Sequence, residues 1–214
     1  MLTKDEEIFQ IYSALEKICF EINDLFLAID QLMNKRKYTP FSSLRWDMAE
    51  SLWKPAQWLP YFSQRMYKKE NDNSRAIGLN ILMKDDTCRN IIPFMTVGII
   101  KSDKDIPGAS DAFYGAGWDD EEYGLVKFGN PIFSLTRSKT EHVEILSYFM
   151  KLTAVDTISN AEKLIVDPLD KIYNSLPGDW KNTNELEKVL EPIVEKIKNN
   201  MLTLEHIRGD APLE

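Results

Sequence analysis

Between residues 8 and 32 an apolar side chain returns at alternating steps of three and four: Ile8, Ile11, Leu15, Ile18, Ile22, Leu25, Ile29 and Leu32. Such a run calls for an α-helix whose stripe follows the a and d places of a heptad. A strand, with its period of two, would scatter the same residues over both faces of a sheet. Tyr12, Cys19, Phe26 and Met33 recur every seven residues on the flank, making the stripe broader than a two-stranded seam requires. Thr3 and Glu6 match a capping box just ahead of it. The spacing predicts one helix from Asp5 to Asn34, on the order of 45 Å long. Two uses of the stripe stay open: packing lengthwise on its own domain, or joining part of itself to a second copy of the chain. The eight a and d residues are the candidate self-association surface.

Residues 38–67 change texture, with Tyr38, Phe41, Trp46, Trp53, Trp58, Tyr61, Phe62 and Tyr67 interrupted by Pro40, Pro55 and Pro60. Internal prolines remove amide donors and forbid one continuous helix, so a short helix near 43–53 and a broken segment after it are expected. Trp46, Trp53 and Trp58, close in sequence to Arg45 and Arg65, form a candidate ligand or partner surface. Trp and Arg are the types that anchor interfaces, and a guanidinium beside aromatic rings can hold a small anion. The competing use of so many rings is to cover a sheet face.

The middle of the chain reads as strand. Residues 75–84 alternate, and 91–101 are apolar on both phases, with Pro93 confined to an end or an edge. Residues 123–128 and 132–137 flank the turn signal Gly129-Asn130-Pro131. Four strands in succession suggest an antiparallel meander. Beyond them Ser138 and Glu141 offer a capping box, and Glu144, Ser147 and Lys151 share a helical stripe, which favours helix over strand for 139–154. Ser159 and Glu162 suggest a further cap, with a kink expected at Pro168, and a last helix from Asn184 points Leu186, Leu190, Ile193 and Ile197 inward. The expected fold class is α+β, with an antiparallel sheet of about four strands (75–137) packed against a long N-terminal helix and C-terminal helices. The chain is expected to be a single domain over 1–214, with 1–36 free to extend from the core.

Composition narrows function. A net charge of −8 argues against nucleic acid, which needs a basic face. No signal peptide is visible, and the longest apolar run, at 91–100, is too short to span a bilayer. The expected setting is soluble and cytoplasmic, without a membrane. Cys19 and Cys88 lie far in sequence from each other and from His142 and His206, so no zinc spacing and no Cys–His pair is present. The expected state of both thiols is reduced.

The stretch 102–124 packs seven carboxylates against Lys104. Asp103, Asp105, Gly108 and Asp111 fit places one, three, six and nine of a calcium loop, but Pro107 and Tyr114 occupy the fifth and twelfth, where oxygen ligands belong. A solvated strand connection explains the run best. An irregular divalent-cation site using Asp111, Asp119 and Asp120 stays open, and no other cofactor is expected. No nucleophile elbow or phosphate-cradling glycine loop occurs. The reading that follows is a non-enzymatic interaction or scaffold protein whose partner is another protein or a second copy of itself. The alternatives are a small-molecule sensor with a pocket lined by 38–67, and a metal-dependent hydrolase using the acids of 103–122.

Overall fold

Lys4–Lys35 form one helix, α1, of 32 residues. Thr3 and Glu6 close its first turn as a reciprocal capping box, and Asp5, Glu6 and Glu7 sit where the helix dipole favours negative charge. At its end Lys37 turns the chain with φ 64° into the first strand. The computed structural model describes residues 3–41, 45–46, 62–83, 93–103, 106, 113, 123–126, 132–138, 142–176, 180, 182–203 and 206.

After α1 come β1 (Tyr38–Pro40), β2 (Arg45–Trp46), β3 (Phe62–Lys69), β4 (Arg75–Leu82), β5 (Phe94–Ser102), β6 (Tyr123–Val126), β7 (Phe133–Ser138) and β8 (Val143–Lys151). A 3₁₀ turn, Leu152–Val155, leads into a helical run made of α2 (Ile158–Ala161), a π-helical turn (Glu162–Val166) and α3 (Asp167–Ser175). Helix α4 (Thr183–Ile197), a 3₁₀ turn (Lys198–Asn200) and β9 (Met201–Leu202) follow. The strands form one antiparallel sheet in the order β1-β3-β4-β5-β8-β7-β6, with β2 also on β3 and β9 also on β8.

The α+β class holds, with a larger sheet than the sequence suggests. Two three-stranded meanders, β3-β4-β5 and β6-β7-β8, meet where β5 pairs with β8 from Phe94↔Lys151 to Ser102↔Val143. The expected helix at 139–154 is thus a central strand. VEILSYFMK is apolar on both phases, which suits a strand buried on both faces. Its polar residues do not share a face, since Glu144 lies on one side of the sheet and Ser147 on the other. Ser138 ends β7, so it caps no helix. The second cap also differs: Thr157, rather than Ser159, accepts from the backbone of Asn160. His142, placed by the sequence in a first helical turn, instead precedes β8 with φ 55°. Of the short helix expected near 43–53, residues 45 and 46 are strand, and 43, 44 and 47–53 lie outside the described residues.

One sheet face carries Ile77, Leu79 and Ile81 of β4, Met95, Val97 and Ile99 of β5, and Leu146, Tyr148 and Met150 of β8. The second half of α1 covers it with Ile22, Phe26, Ile29, Leu32 and Met33, beside α3 and α4. The opposite face carries Met66, Ala76, Ile100, Val143 and Ile145 under Ile106 and Phe113. Gly78 leaves room there for the Phe113 ring, which would lie 2.7 Å from an added Cβ. Among the described residues no helix is long and apolar enough to cross a membrane.

Candidate functional site

The sheet supports only part of α1. Ile22, Ile29 and Leu32 of the heptad stripe are buried, and Leu25 packs against the same core. Ile8, Ile11 and Ile18 of the same stripe are exposed, together with Tyr12 on its flank. Phe9, Phe20 and Leu27 are exposed as well. They are spaced by eleven and seven residues, near whole turns of a helix, and form a second apolar line opposite the stripe. Helix α1 therefore exposes apolar side chains on two sides, the stripe in its first half and the second line from Phe9 to Leu27. Among the described residues the only large exposed apolar side chain outside α1 is Ile158.

Where the stripe leaves the core it enters a groove of about 980 Å³. Ile18, Ile22 and Leu25 form one wall, and Ile81, Met83, Pro93, Leu152, Val155 and Ile158 form the floor and the other wall. Glu21, Asp24 and Asp156 stand on the rim against Lys151. The arrangement suits a helix laid in an apolar channel. Sequence reading found the α1 wall by its period. The opposite wall comes from the end of β4, the residue before β5 and the turn between β8 and α2, all far from α1 in the chain, and no local pattern marks it.

The placement of α1 is fixed from its inner side. Asp30 accepts a bidentate pair from Arg65, Nε at 3.1 Å and Nη2 at 2.6 Å, and a third bond from Tyr67 Oη at 2.8 Å. Burial and the neighbouring Asp30 charge push the Tyr67 hydroxyl well above its usual range. Tyr38 donates to Asp170 at 2.9 Å, and Tyr173 to Asp72 at 2.7 Å, tying β1 and the β3–β4 turn to α3. These carboxylates and phenols satisfy one another, which is the arrangement of a structural network.

The aromatic segment is only partly placed. Arg45 and Trp46 form β2 against Gln64 and Ser63 of β3, while Trp53 and Trp58 lie outside the described residues. Arg65 faces α1 and is engaged by Asp30. Phe41 packs on the opposite sheet face beside Met66. Asp111, Asp119 and Asp120 lie outside the described residues; among those described, no three His, Cys, Asp or Glu side chains cluster as metal ligands do. His206 Nδ1 accepts from the Thr203 amide at 3.1 Å, a local turn contact.

A feature the sequence gives no sign of lies on the second sheet face. Gln64, Asn80 and Thr96 form a polar row across β3, β4 and β5, with Ser147 and Ser134 paired one row along. All five are buried. The hydroxyls of Thr96, Ser134 and Ser147 have no hydrogen-bond partner among the described residues, a cost of about 1–3 kcal/mol for each such group. No protein-family model, curated protein or solved structure matches this chain.

Proposed function

We propose that this protein is an interaction module that pairs with a second copy of itself through the first half of α1. The observation that carries the reading is the concentration of exposed apolar side chains on that one helix, leading into the groove beside Ile22 and Leu25. An antiparallel pair about a two-fold axis near Leu15 sets Ile8 of the second copy beside Ile22 and its Ile11 beside Ile18. The unsupported half of each helix then fills the groove of the other, a closed contact that uses one patch twice.

The size of the effect is moderate. Ile8, Ile11, Tyr12 and Ile18 expose between them roughly two and a quarter side chains' worth of surface per copy. Burying that surface in both copies supplies roughly 7–14 kcal/mol at 1.5–3 kcal/mol per side chain. Association costs about 4–15 kcal/mol in lost freedom, so the expected dimer is micromolar or weaker. The pairing also brings Asp5, Glu6 and Glu7 of one copy towards Glu21, Asp24 and Asp156 of the other. Salt screens like charges, so the dimer tightens as salt rises.

Sedimentation equilibrium on the full chain tests this from about 1 μM to 1 mM, a span that brackets the estimate. The mass should climb from 24.8 kDa towards twice that value, and climb further at about 1 M salt than at 0.1 M. A monomer at every concentration and both salts refutes the proposal.

A further inference from the structure

The helical run 158–175 is interrupted for a visible reason. Pro168 has no amide proton for the carbonyl four residues back, that of Leu164, and that carbonyl accepts from the buried Tyr148 hydroxyl at 2.9 Å instead. The chain takes the π-helical turn Glu162–Val166 just before the proline, and such turns frequently mark functional positions. Arg36, at the end of α1, then draws in the two acids flanking the turn: Nη2 donates to Glu162 at 2.8 Å and also to Asp167.

That contact decides the charge of the opposite side. Asp167 stands four residues from both Lys163 and Lys171 and would pair with either on a helix surface. Because it turns to Arg36, neither lysine makes a salt bridge among the described residues. Lys196 of α4 faces the same space and makes no salt bridge among the described residues, and Asp167, which also lines that space, is engaged by Arg36. The three enclose a pocket of about 440 Å³ with Leu164 and Ile193 in its apolar lining and Asn160 and Asn200 at its margin. In a chain of net charge −8, three ammonium groups around one cavity, against the single Asp167 carboxylate that Arg36 engages, form a local excess of positive charge.

We propose that this pocket binds a compact organic anion carrying two or more negative charges, a phosphomonoester or a polycarboxylate, with its carbon body on Leu164 and Ile193. Lysines act as point charges that suit either head group. The amide of Asn200 can donate to its remaining oxygens, while that of Asn160 already donates to Asp156 at 2.8 Å. The site stands on observations independent of self-association.

The test follows the melting temperature of the full chain with AMP, with citrate and with sodium chloride at matched ionic strength, alongside methyl NMR of Leu164 and Ile193. A bound anion raises the melting temperature by mass action and shifts those two methyl signals in a saturable way. The double variant Lys163→Gln/Lys196→Gln should weaken binding about fivefold per lysine removed. Lys163→Arg/Lys196→Arg, which keeps the charge, should bind as the native chain does. All three lysines are exposed, so in sodium chloride alone both variants should melt where the native chain does, which reports folding separately. Response to AMP alone assigns a phosphomonoester, and response to citrate alone a polycarboxylate. No response beyond matched sodium chloride, or an equal response in the double glutamine variant, overturns the proposal.

Discussion

Ile11 and Ile29 hold equivalent places in one stripe, and the fold treats them oppositely: Ile11 is 68% exposed and Ile29 is 0% exposed. Substituting each separates the two roles of α1. Ile11→Asp alters a surface position of the isolated molecule, so its folding stability should stay within about 0.5 kcal/mol of native. In the proposed pair, two thirds of an isoleucine side chain is worth roughly 1–2 kcal/mol. The two-fold uses it twice, so the dissociation constant should rise roughly 30- to 700-fold. Ile29→Ala should do the reverse, costing about 2–5 kcal/mol of folding stability through the cavity it leaves. Urea titrations at a concentration below the dissociation constant report folding, and sedimentation equilibrium reports pairing. If Ile11→Asp left association unchanged, the proposed interface would be wrong. If it destabilised the monomer as much as Ile29→Ala, the first half of α1 would be resting on the core.

Three further substitutions address the sheet and its borders. Gly98→Ala would drive a Cβ into the Leu146 carbonyl oxygen, so β5 and β8 must separate; the urea midpoint should fall by an amount worth about 1–3 kcal/mol, more than for Gly78→Ala, where the neighbour is the Phe113 ring. Burial alone would raise the Asp72 carboxyl, but hydrogen bonds from Tyr173 and Ser74 and the adjacent Arg75 hold it below the usual carboxylate range. Its contribution is therefore complete above about pH 4 and lost as pH falls through the lowered value. Asp72→Asn should lose less stability than native between about pH 5 and pH 2 in acid titrations followed by circular dichroism. Thr96→Val removes a buried hydroxyl that has no partner among the described residues, so it should leave the melting temperature unchanged or higher; a clear fall would show that the hydroxyl is hydrogen-bonded.

What the sequence made legible follows from how local each signal is. Helix α1 and its capping box lie within one stretch, and the three-four spacing alone places them. Strands β4 and β5, and the inward set Leu186, Leu190, Ile193 and Ile197 of α4, are read the same way. Strand β8 was misread because Glu144, Ser147 and Lys151 happen to fall at helical steps, although Val143, Ile145 and Phe149 beside them belong to a strand buried from both sides. The seam between the two meanders depends on pairing residues that are distant in sequence, and nothing in either strand states its partner. The groove and the lysine pocket share that property. Each collects side chains from separate elements, and Lys163 and Lys171 are left without a salt bridge among the described residues because Arg36, more than a hundred residues upstream, engages Asp167.

The joining of β5 to β8 also sets an order of events as the chain folds. Within each meander the strands follow one another in the chain, and such local pairings close quickly. The seam must instead bring Ser102 against Val143 across roughly forty residues of chain. Apart from the two-residue β8–β9 pairing, Met150 with Met201, no ladder among the described residues closes a longer stretch of chain, so the seam should dominate the folding barrier. Substitutions inside one meander should then act chiefly on the unfolding rate, while those on the seam, Gly98 among them, should slow folding itself.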